Sequence, residues 1–400
     1  ETEAREAETV TLDELIRTAR EHNPAIKVSL HAAQAKKARI PAVRTLPDPV
    51  VTLQSMGEAV PGKLMSGDPS SARTIGVEQE IPFPGKLGLK GQIAEVEAEV
   101  EELNHTQIYR QVMSELKQAY YDLFVIRKSM EIIHKTKDLL QNFEEIAEKK
   151  YQVGQGIQQD VLKAQVEISK LIDRLVVLDQ RRIATETQIN TLLYRPREAP
   201  VGKPAEFTKA ILSHSLEELD KIAQTNSTAI LAQERELDSR QLSVKLAQKE
   251  YYPDFSLGFT YFDREAQPEM YAWMIKAKIP LYFWRKQRPE LESAKSSLMS
   301  AQWMRESTES TIQSQLKQSY VMATTADRLV RLYGSAIVPQ ANLSLNSAVA
   351  NYQVGRTDFL NVLDSLTAVL EFQLKYYESL GDFQKALAQI EPLTGVELTR

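Results

Sequence analysis

The stretch YQVGQGIQQDVL, residues 151–162, returns as YQVGRTDFLNVL, residues 352–363, displaced by 201 positions in a chain of 400. A chain that repeats itself at half its length is built from two copies of one structural unit. Asp160-Val161-Leu162 follows the first Tyr-Gln-Val-Gly and Asn361-Val362-Leu363 the second, and a Leu- and Gln-rich helical stretch continues from each. Gly154, Gly156 and Gly355 read as turns, with Gln159/Asp160 and Thr357/Asp358 where a capping residue would start a return helix. Upstream, apolar residues at three-and-four spacing run with few breakers from Gly91 to Tyr151 and from Pro289 to Tyr352. At 1.5 Å per residue, each segment of roughly 60 residues spans about 90 Å. The return helices are Gln158 to Leu193 and Asp358 to Ile390, so each half is a long antiparallel helical hairpin with glycine at its tip. Pro339 is expected to kink its helix.

The other ends of the long helices match too. Thr11-Leu12-Asp13-Glu14-Leu15 corresponds to Ser215-Leu216-Glu217-Glu218-Leu219, each a hydroxyl cap with an acidic first turn. The helices they open end at Leu46-Pro47-Asp48 and Tyr252-Pro253-Asp254, and there the apolar period changes to two. Phe255, Leu257, Phe259 and Tyr261 alternate with Ser256, Gly258 and Thr260; Tyr271, Trp273, Ile275 and Ile279 alternate with Ala272, Met274, Lys276 and Lys278. The first half repeats the pattern with Val51 and Leu53, then Ile75, Val77 and Ile81, against Thr52, Gln54, Thr74, Gly76, Glu78 and Glu80. These are half-buried strands, two per repeat.

The expected organisation is therefore mainly α with a small β part, in seven segments. Residues 1–46 hold the N-terminal helices, 47–85 the first strand pair and 86–194 the first hairpin. A Pro-rich linker (195–214), a helix (215–252) and the second strand pair (253–284) follow, and 285–400 holds the second hairpin and C-terminal segment.

Composition removes several classes of function. The net charge is −5 and 42% of residues are hydrophobic, which gives no footing for nucleic-acid binding. No cysteine is present, so disulfides and thiolate chemistry are out, and no run of about 18 apolar residues offers a transmembrane helix. The acidic stretch Glu1 to Glu8 lacks the basic-then-apolar pattern of an export signal, so an exported protein would have lost its signal already. There is no GxSxG, Walker loop, HExxH or CxxC. His22, His31, His105, His134 and His214 are scattered without an i, i+4 pair, and Glu101/Glu102 and Glu144/Glu145 fall in charged helix faces. Enzyme chemistry, a cofactor and a resident metal site are not expected.

Four strands with one apolar and one polar face cannot close a barrel and leave open edges. Three chains would supply twelve, an even number suited to a transmembrane barrel, with apolar side chains toward lipid and Glu78, Glu80, Lys276 and Lys278 toward a wet lumen. The competing reading is a small soluble sheet packed on the helices. Aromatics gather in this region, Trp273 and Trp284 among them, as an interfacial girdle requires. Basic residues follow each strand pair, Lys86 and Lys90 and then Arg285, Lys286 and Arg288, at a level suited to lipid phosphates.

With Val-Gly hairpin tips, a following Asp/Asn-Val-Leu, strand pairs interrupting long helices and a half-chain repeat, the sequence resembles the TolC-like outer-membrane efflux factors over essentially its whole length. Ile81-Pro82-Phe83-Pro84-Gly85-Lys86, with its counterpart Ile279-Pro280-Leu281-Tyr282-Phe283, looks most like the branch serving heavy-metal efflux. The resemblance implies a homotrimer whose twelve-stranded barrel in the outer membrane continues as an α-helical barrel across the periplasm. It also implies a periplasmic adaptor and an inner-membrane pump as partners, heavy-metal cations moved by a resistance-nodulation-division pump as cargo, and lipid around the barrel. Multidrug efflux and type I secretion use the same kind of duct, and a soluble structural coiled coil is the alternative of another class. By the same resemblance Tyr352 and Asp160 stand where a family Tyr and Asp hydrogen-bond in the closed gate. Asp364 matches the second acid of an aspartate ring whose first position is Asn361 here, which halves the ring charge. Val153, Gly154, Val354 and Gly355 are the implied adaptor contacts.

Overall fold

The computed structural model describes residues 9–60, 63–64, 71–264 and 267–398; the acidic stretch 1–8 and parts of the loops 57–71 and 263–269 lie outside them. In chain order the elements are β1 (Thr9–Val10), α1 (Leu12–His22), α2 (Pro24–Arg44), β2 (Val50–Met56), β3 (Glu58–Val60), β4 (Lys63–Leu64) and β5 (Ala72–Ile81). Then come α3 (Lys86–Gln152), α4 (Gln158–Leu192), β6 (Lys203–Pro204), α5 (Leu216–Asn226), α6 (Thr228–Lys249), β7 (Asp254–Asp263) and β8 (Met270–Lys278). The chain ends with α7 (Gln287–Leu332), a π-helical turn (Tyr333–Ile337), α8 (Val338–Gln353) and α9 (Phe359–Thr394). They form two compact units, one of Glu1–Ser29, His105–Ala229 and Glu309–Arg400, the other of Leu30–Asn104 and Ile230–Thr308.

The first unit is helical. Thr11 and Ser215 cap α1 and α5 as expected, each through a reciprocal box with the glutamate three residues on: Glu14 N–H donates to Thr11 Oγ1 at 3.4 Å and Glu218 N–H to Ser215 Oγ at 3.3 Å. Where the sequence suggested one helix after Ser215 there are two, because the chain turns extended at Ser227. Asn23 makes the matching break in the first repeat: its Oδ1 accepts from Ala25 N–H and its Nδ2 donates to Leu192 O at 2.8 Å. One core joins Leu15 and Ala19 of α1 to Leu116, Tyr120 and Leu123 of α3 and Ile189 of α4. Another joins both hairpins, with Ile133, Leu140 and Phe143 of α3, Ile168 and Leu171 of α4, and Phe359, Val362 and Leu366 of α9. Each large side chain buried this way contributes about 1.5–3 kcal/mol.

Both hairpin tips are Schellman motifs. Gly154 and Gly355 have φ of +72°, Gln155 N–H donates to Lys150 O at 2.8 Å, and Arg356 N–H to Asn351 O at 2.9 Å. Glycine is required because a Cβ in the left-handed region costs about 1–2 kcal/mol. Of the expected caps of the return helices, Asp358 takes the position and Gln159/Asp160 do not. Ile157, with no side-chain donor or acceptor, is the N-cap of α4, and Asp358 is the N-cap of α9 without a side-chain cap bond. Asp160 and Asn361 lie one turn further in.

The repeat offset locates the π turn. Leu116-Lys117-Gln118-Ala119-Tyr120 matches Leu316-Lys317-Gln318-Ser319-Tyr320 at an offset of 200, whereas the tips match at 201. One residue has been added between Tyr320 and Tyr352, and a π turn absorbs one extra residue while keeping the faces on either side in place. Pro339 does not sit inside a regular helix: it is the second residue of α8, directly after the widened turn, and the carbonyl four residues back, that of Ser335, belongs to that turn.

The second unit holds an antiparallel sheet of order β2-β5-β7-β8. Its register sets Val51, Val77, Phe259 and Trp273 in one row and Leu53, Ile75, Tyr261 and Tyr271 in the next, all on one face. Rings pack along these rows, Phe259 to Trp273 at 4.9 Å and Tyr261 to Tyr271 at 5.4 Å between centroids. Thr52, Thr74, Gly76, Glu78, Glu80, Ser256, Thr260, Lys276 and Lys278 share the other face. Trp273 is 82% and Ile275 76% exposed, so among the described residues nothing covers these side chains of the apolar face. Beside the sheet, α2 follows α3 through ion pairs Lys36–Glu97 and Arg44–Glu95.

Candidate functional site

At the tip of the second hairpin, Tyr352 ends α8 with its side chain buried, its ring 5.7 Å from that of Phe359. Lys150, in the last turn of α3, lies 3.8 Å from the Tyr352 ring centroid and donates to Tyr352 O at 3.2 Å. It thus caps a helix C-terminus and contributes a cation–π contact. Asp160 is half-buried in the first turn of α4. Burial and then the Asp358 carboxylate push its pKa up, while Lys163 and Lys150 pull the other way. Burial, followed by Asp160, also raises the Tyr352 phenol. No hydrogen bond joins Tyr352 to Asp160 among the described residues; they are coupled through charge. Lys150 and Asp358 belong to the same cluster; the sequence marks Asp358 only as a helix cap and leaves Lys150 unmarked, although a lysine four residues ahead of a C-terminal glycine is a recognisable signal.

Asn361 is exposed and donates to Thr357 Oγ1 at 2.9 Å. Asp364, also exposed, lines a groove of about 570 Å³ with Lys163 and Lys170 of α4. Val153 and Val354 project into solvent at the two tips, beside Gly154 and Gly355.

On the polar face of the sheet, Lys276 Nζ donates to Glu78 Oε2 at 2.6 Å, so two of the four expected lumen charges neutralise each other; Glu80 and Lys278 are exposed. Lys86 departs from expectation. It is 2% exposed, and its Nζ donates to Glu250 Oε2 at 3.0 Å, Asp254 Oδ1 at 2.9 Å and Tyr252 O at 3.2 Å. An ammonium with three donors consumed inside the protein is not available to a lipid phosphate. Phe83 reinforces the junction, its N–H donating to Asp254 Oδ1 at 2.8 Å and its ring stacked 4.6 Å from Tyr252. Lys90, Arg285 and Arg288 are exposed, as are Trp273 and Trp284.

Among the described residues no group of three or more His, Cys, Asp or Glu could hold a metal ion, and no helix is long and apolar enough to cross a membrane. What the arrangement offers is a pair of charged, glycine-ended tips and a two-faced sheet with open edges.

Comparison with known proteins agrees across the chain. The family model described as outer membrane efflux protein matches residues 15–193 and 220–396. The cobalt-zinc-cadmium resistance protein CzcC of Cupriavidus metallidurans is 21% identical over 332 residues, covering 81% of this chain and 78% of its own. The outer membrane protein VceC of Vibrio cholerae superposes with a TM-score of 0.81 at 18% identity, covering 97% of this chain and 96% of VceC. The MtrE outer membrane channel of Neisseria gonorrhoeae gives 0.80 at 16%, covering 97% and 90%.

Proposed function

The chain belongs to the outer membrane efflux protein family, and from that premise we propose that three copies form the exit duct of a tripartite efflux system carrying heavy-metal cations. The protein is a transport channel of the outer membrane, not an enzyme. The observation that carries the trimer is the sheet: four strands with, among the described residues, both edges unpaired and one face apolar and exposed. Three such sheets joined edge to edge remain antiparallel throughout and close a twelve-stranded barrel, the apolar rows outward in lipid and the polar face around water. The long hairpins then continue the duct into the periplasm, where the Val-Gly tips meet the adaptor of an inner-membrane pump. The metal cargo is supported by the name of the relative CzcC and by the Pro-Phe-Pro-Gly-Lys turn. The test is twofold. Outer-membrane extracts should yield an SDS-resistant, heat-labile trimer that conducts ions in planar bilayers, and deletion of the gene should sensitise cells to divalent transition metals more than to drugs. A cytosolic protein without detergent requirement would overturn the duct, and unchanged metal tolerance the cargo.

At the mouth, three-fold symmetry sets three copies of Asp364 around one axis, a cation filter weakened by Asn361. Asp364→Ala should lower cation selectivity and divalent block in single-channel recordings. Unaltered reversal potentials and block would refute the filter.

A further inference from the structure

The junction between the two repeats inside the chain is a template for a junction that one chain leaves unfilled. At β5–β7, the turn after a repeat's second strand docks on the Tyr252-Pro253-Asp254 that opens the next repeat's first strand, through Phe83 on Tyr252 and buried Lys86 on Asp254. Both partners have a second copy in the sequence. Leu46-Pro47-Asp48 opens β2 as Tyr252-Pro253-Asp254 opens β7. Lys286 follows β8 as Lys86 follows β5: each lies 30 positions ahead of its Leu-Lys-Gln, at 116 and 316, Lys86 as the first residue of α3 and Lys286 directly ahead of α7, with each helix unbroken from there.

In one chain this second set is unmade. Lys286 and Asp48 are exposed, and neither has an ion-pair partner among the described residues. Tyr282 is 70% exposed, whereas the corresponding turn of the first repeat is partly covered. Gln287, the residue after Lys286, is 8% exposed with its Oε1 buried and without a hydrogen-bond donor, an unfavourable arrangement for a desolvated carbonyl oxygen. Nor can the chain fill the set by itself. β2 and β8 are opposite edges of the sheet, three strand spacings of about 4.8 Å or roughly 14 Å apart, beyond the reach of one lysine.

We infer that the turn after β8 docks on Leu46-Pro47-Asp48 of a second copy, Lys286 taking that copy's Asp48 as Lys86 takes Asp254 within the chain. The partner surface is thus a second copy of this chain, in a stated register: the end of β8 against the start of β2. The two kinds of junction are not equal. Ile81 to Lys86 spans five positions and Ile279 to Lys286 seven, and the aromatic stacked on Phe83 is replaced by Leu46. The junction between copies is therefore looser and is the first to open when the assembly is heated.

The inference rests on the trimer proposed above, and the experiment separates the two. Residues 1–400 contain no cysteine, so in the double variant Asp48→Cys, Lys286→Cys these residues carry just the two introduced thiols, both at exposed positions. Treated with a short bis-maleimide in detergent-solubilised outer membranes, it should run on denaturing gels as a dimer and trimer ladder, while each single variant stays monomeric. Lys286→Glu or Asp48→Lys alone should lower the dissociation temperature of the SDS-resistant oligomer, and the combined exchange should restore it. A stable oligomer with no ladder, or with dissociation unmoved by both reversals, would overturn this junction and leave the trimer standing. Absence of any oligomer in the unaltered protein would overturn both.

Discussion

Asp160 carries its charge against the packing around it. Burial first and Asp358 second raise its pKa, and Lys163 and Lys150 only partly compensate. A carboxylate raised on folding penalises the packed form while ionised. The penalty is complete above the raised value and is gone once pH has fallen through the unfolded value, about 3.9. Acid should therefore tighten the tip. Asp160→Asn removes the charge at every pH, so amide exchange over residues 150–160 should slow about two- to fivefold at neutral pH, equivalent to about 0.5–1 kcal/mol at a half-exposed site. The acid-induced slowing of exchange should vanish in the variant; if it persists, another group controls it. At this scale, what could be read in the sequence was local. Thr11 with Glu14 and Ser215 with Glu218 lie three apart, and the tip glycines follow directly on their helices. Lys86 could not be read, since its partners are 164 to 168 positions away and a lysine after a strand looks solvated until the fold brings two carboxylates to it.

The two long helical stretches look alike in sequence and differ in one element. Hydrophobic spacing identifies both, but it cannot reveal that the second carries an extra residue, because the π turn restores the apolar face on either side of itself. Leu345 and Tyr352 are buried beyond the turn as Leu316 and Val330 are before it. Gly334 is tight there, since a Cβ would lie 3.0 Å from the Tyr376 ring. Deleting Ser335 should convert the turn to regular α-helix with both faces kept, but it would also set Pro339 against an α-helical carbonyl, at about 3 kcal/mol. The deletion alone should therefore destabilise, and the deletion combined with Pro339→Ala should recover most of the loss. Deleting Lys135 from α3, which has no π turn, rotates everything beyond it by about 100° and should abolish folding. Thermal unfolding of the three variants measures this. Equal damage from the Ser335 deletion with and without Pro339→Ala would mean that the turn is not an absorbed insertion.

At the scale of the whole molecule, the proposed assembly turns on the four-stranded sheet. Period-two alternation marked all four strands of this sheet and their faces, because side-chain direction in a strand depends only on parity. What alternation could not decide was the medium on each side; the trimer proposed above sets the exposed side chains of Val51, Leu53, Trp273 and Ile275 in lipid. Adjacent residues of β8 supply the sharpest test. Ile275 lies on the apolar face and Met274 on the polar one, one position apart in the same strand. If the apolar face meets lipid, Ile275→Lys costs about 2–4 kcal/mol per copy near the bilayer midplane, and the cost multiplies around the barrel. Met274→Lys faces water and should be nearly neutral. The heat-labile oligomer recovered from outer membranes should accordingly fall severalfold for Ile275→Lys and hold for Met274→Lys. A soluble sheet would show no such contrast, since Ile275 is already the more exposed of the two in a single chain and its replacement by lysine would only improve hydration.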